Sequence, residues 1–288
     1  MLRPAGLPGG LASLERTAVM GICNVTPDSF SDPGRYFDTD AAVRHCEAML
    51  AEGADLVDVG GESTRPGAAR VDVDEELRRV VPVVKRLAMQ GAAVSIDTMR
   101  WQVAWAAAEA GACLINDVSG GKADPAMLKT MAKLDLPCVL MHWRGPSCSM
   151  DQQDVYADPA REVTSELGQR LMAGAEAGID QAKIVLDPGL GFAKVGLANW
   201  QVLAGLEQVT ALGQPVLLGG SRKRFLRLVL GGLGPGGPGD QLDRLDAATA
   251  ALSALAAQVG LWCVRVHQVA PNLDAVRIGH AWRNGLVQ

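Results

Sequence analysis

Short apolar runs recur along the whole chain, and segments with helical spacing separate them. Eight such runs, rich in Val, Ile and Leu, lie at 18–25, 55–61, 93–97, 113–118, 137–142, 183–189, 215–220 and 262–267. Between two of them, Val80, Val84 and Leu87 recur at helical spacing and are followed by Gly91. Strands that are apolar on both faces and alternate with helices are typical of a parallel sheet, so the pattern predicts an α/β fold.

Nearly every predicted strand ends in a polar residue. These ends carry Asn24, Asp58, Asp97, Asn116 with Asp117, His142, Asp187, Ser221 just past its strand, and Arg265 with His267. A (β/α)8 barrel builds its site from the carboxyl ends of all its strands, whereas a doubly wound open sheet, the alternative, gathers it at one switch point. We therefore expect a single (β/α)8 TIM barrel over residues 18–288, with residues 1–17 as an N-terminal extension.

Any one of these polar residues could simply cap the helix that follows it. Asp187 is the hardest to explain in this way, because Pro188 and Gly189 follow it and no helical pattern begins until about Leu197. A buried carboxylate without a partner is costly, so Asp187 must meet donors from the protein or from a ligand.

Composition and charge narrow the possible functions. The net charge of −5 gives no basic field for nucleic acid, and the six cysteines form no C-x-x-C pair that would indicate zinc. The N-terminus lacks the apolar core of a signal peptide, so we expect a cytoplasmic protein. Residues 247–264 are uncharged, but polar residues and Gly260 interrupt them, which favours a helix followed by a strand over a membrane span.

The polar residues fall into two chemical groups. Thr64 and Arg65 in one loop, Ser221, Arg222 and Lys223 after the seventh strand, and Arg265 and His267 in the eighth supply cations and hydroxyls suited to an anion. Three acceptor-rich residues, Asp97, Asn116 and Asp187, suit a flat group with N–H donors. Together they predict a two-ended ligand, with a nitrogen heterocycle at one end and a polyanion at the other.

Eight ordered segments carry a family resemblance: GICNVTPDSFSD, DVGGESTRPGA, SIDT, INDVSG, MHWRG, LDPGLGFAK, GGSRKRF and RVH. In order and spacing they resemble the motifs of bacterial dihydropteroate synthases, from about Val19 to the last helix. The resemblance implies a folate-pathway barrel that joins (7,8-dihydropterin-6-yl)methyl diphosphate to 4-aminobenzoate and releases diphosphate. It also implies a homodimer, a Mg²⁺ ion bound with the diphosphate, and competition by sulfonamides.

The resemblance assigns roles to residues of this chain. The pterin would contact Asp97, Asn116, Asp187 and Lys223; the diphosphate would contact Thr64, Arg65, Arg265 and His267; Mg²⁺ would be held at Asn24; and 4-aminobenzoate would contact Thr64, Pro66, Phe192, Ser221 and Lys223. Of these, Asp97, Lys223, Arg265 and His267 are the expected catalytic residues. Catalysis would consist of positioning and charge stabilisation, without a covalent nucleophile.

Two positions depart from the family pattern: Gln268 follows RVH where Asp is usual, and Pro33 stands in SDPG where Gly is commoner. Neither removes an expected ligand contact. A corrinoid-type pterin-binding methyltransferase is the nearest rival, but it should lack NVTPDSFSD, ESTRPG and SRK, which are all present here. A catalytically silent paralogue that binds pterin is the second rival.

Overall fold

Eight parallel strands form the centre of the protein. The computed structural model describes residues 1–26, 39–63, 70–231 and 238–285. The strands are β1 (Ala18–Asn24), β2 (Leu56–Gly60), β3 (Val94–Asp97), β4 (Leu114–Asp117), β5 (Cys138–Met141), β6 (Ile184–Asp187), β7 (Leu217–Leu218) and β8 (Cys263–Val266). All eight lie where the apolar pattern predicts them, although β7 is much shorter than its predicted run.

The sheet closes on itself. Hydrogen-bonded neighbours follow the order β6, β5, β4, β3, β2, β1, β8, β7. Between β6 and β7, which end this order, a single parallel bridge joins Leu186 to Val216, and the Leu186 amide donates to Pro215 O at 2.9 Å. The expected (β/α)8 TIM barrel is therefore confirmed, with its weakest pairing at the β6–β7 seam.

Helices cover the outside of the sheet. They are α1 (Gly9–Ala12), α2 (Thr39–Ala51), α3 (Val73–Met89), α4 (Trp101–Glu109), α5 (Met127–Leu134), α6 (Pro159–Glu176), α7 (Leu197–Ala204), α8 (Leu206–Thr210), α9 (Leu226–Val229), α10 (Pro238–Val259) and α11 (Val269–Asn284). Asp72 caps α3 by accepting from the Asp74 amide at 2.9 Å, a common start signal for a helix. No helix among the described residues has the length and apolar character needed to cross a membrane.

Alternation along the strands divides the apolar residues into two layers. One layer packs between the sheet and the helices. The other fills the barrel interior and consists of Ala18, Met20, Leu56, Leu114, Val139, Val185, Leu217, Trp262 and Cys263. Leu7 and Leu11 from the N-terminal segment pack against this inner layer and cover the amino-terminal end of the barrel. The opposite end is left for polar groups.

Candidate active site at the carboxyl ends of the strands

The alternation that buries the inner layer also decides which polar residues reach the barrel interior. Asp58 lies two residues beyond Leu56, Asn116 two beyond Leu114, and Asp187 two beyond Val185, so each points inward above the apolar layer. Register places Asp97 beside both Gly60 and Asn116. The expected ring of polar side chains is thus assembled at one end of the barrel.

Two residues of the expected ring face the other way. Asp117 follows the inward Asn116, and both of its oxygens accept from its own turn, from Ser119 N at 2.8 Å and Gly121 N at 2.6 Å. Asp117 therefore has the local capping role that the sequence analysis gave as an alternative to ligand binding. His142 follows the inward-facing Met141 and is buried behind the site, where Lys194 bonds its ring.

Arg265 lies at the centre of the site. Its Nε donates to Asp58 Oδ2 at 2.6 Å, and an Nη donates to Asp97 Oδ2 at 2.8 Å. The same Asp58 oxygen accepts from Asn116 Nδ2 at 2.9 Å. A charged hydrogen-bond network therefore links β2, β3, β4 and β8 across the barrel interior. From the sequence we expected Arg265 to bind an anionic ligand, and its hydrogen bonds to two carboxylates were not predicted.

The two carboxylates among the three expected acceptors, Asp97 and Asp187, are held in low-dielectric surroundings. Burial raises the pKa of Asp97 to about 7, against the lowering effect of Arg265 and with a further raising contribution from Asp58. Burial also raises the pKa of Asp187, and the positive charge of Lys223 opposes that rise. Asp187 Oδ1 accepts from the Gly189 amide at 2.7 Å, which supplies one donor that its burial requires.

Lys223 lies beside the loop that follows β6. Its Nζ donates to Leu190 O and lies 4.6 Å from the centre of the Phe192 ring, a cation–π arrangement. Burial lowers the pKa of Lys223 to about 8, while Asp187 works in the opposite direction. One ammonium group therefore contacts both a carbonyl and an aromatic face at the same edge of the site.

Ser221 and His267 meet at the ends of the seventh and eighth strands. Ser221 Oγ lies 2.9 Å from His267 Nδ1, and it accepts from the His267 amide at 3.2 Å. Arg222, expected to join the cationic group, instead forms a two-point ion pair with Asp246 at 2.6 and 2.8 Å. That expectation for Arg222 was wrong, because its backbone is left-handed (φ 58°) and its side chain turns towards α10.

Three expected ligands, Thr64, Arg65 and Pro66, lie outside the described residues. Arg100 fixes the residues on either side of them by donating to Glu62 at 2.7 Å and to Val71 O.

Asn24, the expected metal ligand, is half-buried at the end of β1 and pairs in register with Gly60. Within the described ranges, no three His, Cys, Asp or Glu side chains are grouped to hold a metal ion. A single amide oxygen at the mouth fits Mg²⁺, which usually takes one or two protein ligands together with substrate phosphates and waters.

Comparison with known proteins identifies the family of this chain. The family model described as "Pterin binding enzyme" matches residues 20–267. The dihydropteroate synthase of Mycobacterium leprae is 52% identical over 276 residues, which cover 94% of this chain and 95% of that protein. The chain belongs to the dihydropteroate synthase family.

Solved dihydropteroate synthases share the fold. The Xanthomonas albilineans enzyme in complex with 7,8-dihydropteroate is 42% identical, with a TM-score of 0.81 over 93% of this chain and 94% of that one. The Yersinia pestis enzyme in complex with a sulfonamide drug is 39% identical, with a TM-score of 0.86 over 99% of both chains. This chain is thus a transferase of the dihydropteroate synthase family on a TIM barrel.

Proposed function

We propose that this chain condenses (7,8-dihydropterin-6-yl)methyl diphosphate with 4-aminobenzoate to give 7,8-dihydropteroate and diphosphate. The observation that carries the proposal is the buried network around Arg265, in which a cation lies directly beside the acceptors Asp58, Asp97 and Asn116. Such a site can bind a flat N–H-rich ring and a leaving anion side by side. The dihydropteroate held by the Xanthomonas albilineans relative has this ring.

The pterin end of the substrate would be held by acceptors. Asp187 would accept from the ring amino and N–H edge through Oδ2, since Oδ1 already bonds Gly189. Asp97 and Asn116 would complete this pocket, and Lys223 would donate to the acceptor side of the ring. Burial raises the pKa of Asp187, and the positive charge of Lys223 together with donors from the ring would favour its ionised form.

The diphosphate end would be held by donors. Arg265 would use its remaining N–H groups, and His267, Thr64 and Arg65 would add further bonds to the phosphate oxygens. Asn24 would hold Mg²⁺, which when bound supplies charge neutralisation to the leaving diphosphate.

The reaction would proceed by dissociation. The C–O bond to the diphosphate breaks with its electron pair leaving on oxygen, and the positive charge on the pterin methylene is stabilised by nearby carboxylates. The amine nitrogen of 4-aminobenzoate then forms the new C–N bond and loses a proton. The side chains position the reactants and stabilise charge, and none becomes covalently attached.

The 4-aminobenzoate would bind at the mouth of the site. Phe192 and the stem of Lys223 offer an apolar surface to its ring, and Pro66 and Thr64 would add further contacts. Its carboxylate would lie near Ser221, whose hydroxyl is held in place by His267. A sulfonamide would compete for the same position.

The test is product formation by the purified protein with pterin diphosphate, Mg²⁺ and 4-aminobenzoate. We expect diphosphate release that requires both substrates, and dihydropteroate identified by mass. Pterin binding measured by calorimetry, without product, would identify a silent binding paralogue. The absence of both pterin binding and product would refute the proposal.

We also propose that the chain forms a homodimer through α10 and α11. Their outer faces expose Leu255 (62%), Val259 (52%), Ile278 (66%) and Trp282 (80%), at i, i+4 spacing on each helix. The exposure of Trp282 favours a role in an interface over packing within the fold.

Because each of the six cysteines has a free thiol, we further propose that the protein works in the reducing cytoplasm.

A further inference from the structure

Lys194 is a lysine in the protein interior, with a side chain that is 1% exposed. It lies at the end of the loop that follows β6 and has no part in the reaction described above. Its Nζ is 2.9 Å from His142 Nδ1, 3.0 Å from Gly189 O and 3.1 Å from Phe192 O. Three acceptors thus match the three hydrogens of its ammonium group.

The loop itself has an irregular backbone. Gly189 (φ 65°), Gly191 (φ 75°) and Ala193 (φ 47°) are all left-handed, and for Ala193 this conformation costs free energy. At Gly189 a Cβ would lie 2.4 Å from His142 O, so the loop passes directly over the end of β5. Such a loop keeps its shape only if side chains bond its turned peptide groups.

Side chains bond the loop at each of its turned peptide groups. Besides the two bonds from Lys194, Lys223 bonds Leu190 O from the site side, and Tyr156 Oη donates to Ala193 O at 3.0 Å. Asn199 Oδ1 accepts from the Gly191 amide at 2.7 Å. The loop is therefore held between two ammonium groups, Lys194 behind it and Lys223 in front.

Burial lowers the pKa of Lys194 to about 7, the charge of Lys223 lowers it further, and the charge of Asp187 opposes the shift. The position of Nζ therefore rests on its hydrogen bonds. Burial lowers the pKa of His142 to about 4, so its ring is neutral and Nδ1 can accept from Lys194. His142 Nε2 lies 3.1 Å from Glu166 Oε2 without the alignment of a hydrogen bond. Glu166 is in turn paired with Arg144 at 2.6 Å.

We propose that Lys194 is a positioning residue that fixes the Gly189–Phe192 backbone and thereby holds Asp187, Phe192 and Lys223 where the substrates meet them. The proposal rests on the proposed function for the identity of the substrates. The link to Asp187 runs through the Gly189 amide, which donates to Oδ1 while the Gly189 carbonyl accepts from Lys194. The link to the aminobenzoate surface runs through Phe192, whose carbonyl accepts from the same ammonium.

The test compares Lys194→Met, which keeps the apolar stem and removes the ammonium, with a control at the far end of the barrel. In the control, Thr17→Val, the lost bond is the buried one from Thr17 Oγ1 to Leu261 O at 2.7 Å. Both variants should be less stable to urea than the wild type. Among folded molecules, we expect only Lys194→Met to raise the KM for 4-aminobenzoate and the Kd for pterin, each about tenfold or more, because two hydrogen bonds to the loop are lost. A destabilised Lys194→Met with wild-type KM and Kd would overturn the proposal.

A milder variant keeps the proposal testable if Lys194→Met does not fold. Lys194→Gln keeps an amide N–H that can donate to one of the two loop carbonyls, and we expect the same two constants to rise severalfold. Unchanged constants in that variant would also overturn the proposal.

Amide hydrogen exchange of residues 187–194 supplies a measurement that needs no substrate. Exchange there should be faster in Lys194→Met, or in Lys194→Gln, than in Thr17→Val, and equal rates would overturn the positioning role. A wild-type protein that makes no dihydropteroate would refute the proposed function, whereas the exchange result would still decide the role of Lys194.

Discussion

Replacing Asp58 with Asn would remove the negative charge between Arg265 and Asn116 while keeping the size of the side chain. Asp58 is fully buried, and its Oδ2 accepts from Arg265 Nε and Asn116 Nδ2. If the new amide nitrogen takes that position, it faces two other donors. If the amide oxygen takes it, the nitrogen occupies the place of Oδ1, which has no hydrogen-bond partner among the described residues.

The size of the effect follows from these contacts. Removing one partner of a buried ion pair costs about 3–5 kcal/mol, because the other charge stays buried without compensation. Arg265 keeps Asp97 as a partner at 2.8 Å, and Asn keeps one acceptor. We therefore expect the free energy of unfolding to fall by about 2–3 kcal/mol, below the full cost of a broken pair. Arg265 also loses one of the two carboxylates that orient its guanidinium group. We therefore expect kcat/KM for the pterin diphosphate to fall about tenfold or more.

The assay pairs urea unfolding with steady-state kinetics, and Asp55→Asn is the matched control. Asp55 forms a two-point ion pair with Arg16 at 2.7 and 2.9 Å and accepts from the Val19 amide, at the opposite end of the barrel. This control should lose stability and keep its kcat/KM per folded molecule. If Asp58→Asn retains the wild-type kcat/KM, then Asp58 does not orient Arg265 for the reaction.

Three further predictions concern Asp187, Lys223 and the proposed dimer. Asp187→Asn should weaken pterin binding about tenfold or more in calorimetry, because a charged acceptor becomes neutral, and an unchanged Kd would contradict the pterin assignment. Since the pKa of Lys223 is lowered to about 8, its ammonium is lost as pH rises through that value, so kcat/KM should decline above about pH 8. Lys223→Arg should remove that decline even if its activity is low, and a decline that persists would assign it to another group. Trp282→Glu should shift the protein from dimer to monomer in sedimentation, with Trp101→Glu, on the separate helix α4, as a control that leaves the dimer intact.

The fold was predictable because its signal is local and repeated. Each strand carries its own apolar run, and segments with helical spacing separate the runs, most of them ending at a glycine, so eight independent signals agree. The short β7 is the exception, because an apolar run reports burial and not the number of ladder hydrogen bonds. Residues 215–220 are buried throughout, yet only Leu217 and Leu218 pair as a strand.

The position of the site was predictable from the sequence, but the hydrogen bonds between its side chains were less so. Polar residues at strand ends indicate a site at the carboxyl end of a barrel, and alternate residues along β4 and β5 could also have shown that Asp117 and His142 point away from it. The bonds from Arg265 to Asp58 and Asp97 join strands that are far apart in sequence, and no local pattern reports them. Lys194 was missed for a related reason: a lysine in a glycine-rich loop is ordinarily solvated, and only the packed structure shows it buried.

The seam between β6 and β7 has a mechanical consequence for the site above it. The other neighbouring strands pair at two or more register positions, whereas this pair is joined by the single Leu186–Val216 bridge and the nearby bond from the Leu186 amide to Pro215 O. The loop carrying Phe192 leaves one side of the seam, and the loop carrying Ser221 leaves the other. A small widening there would change the spacing of these loops while the network joining β2, β3, β4 and β8 stays fixed. We therefore expect the gap between these two loops to be the adjustable part of the site, while Arg265 and its partners keep their places.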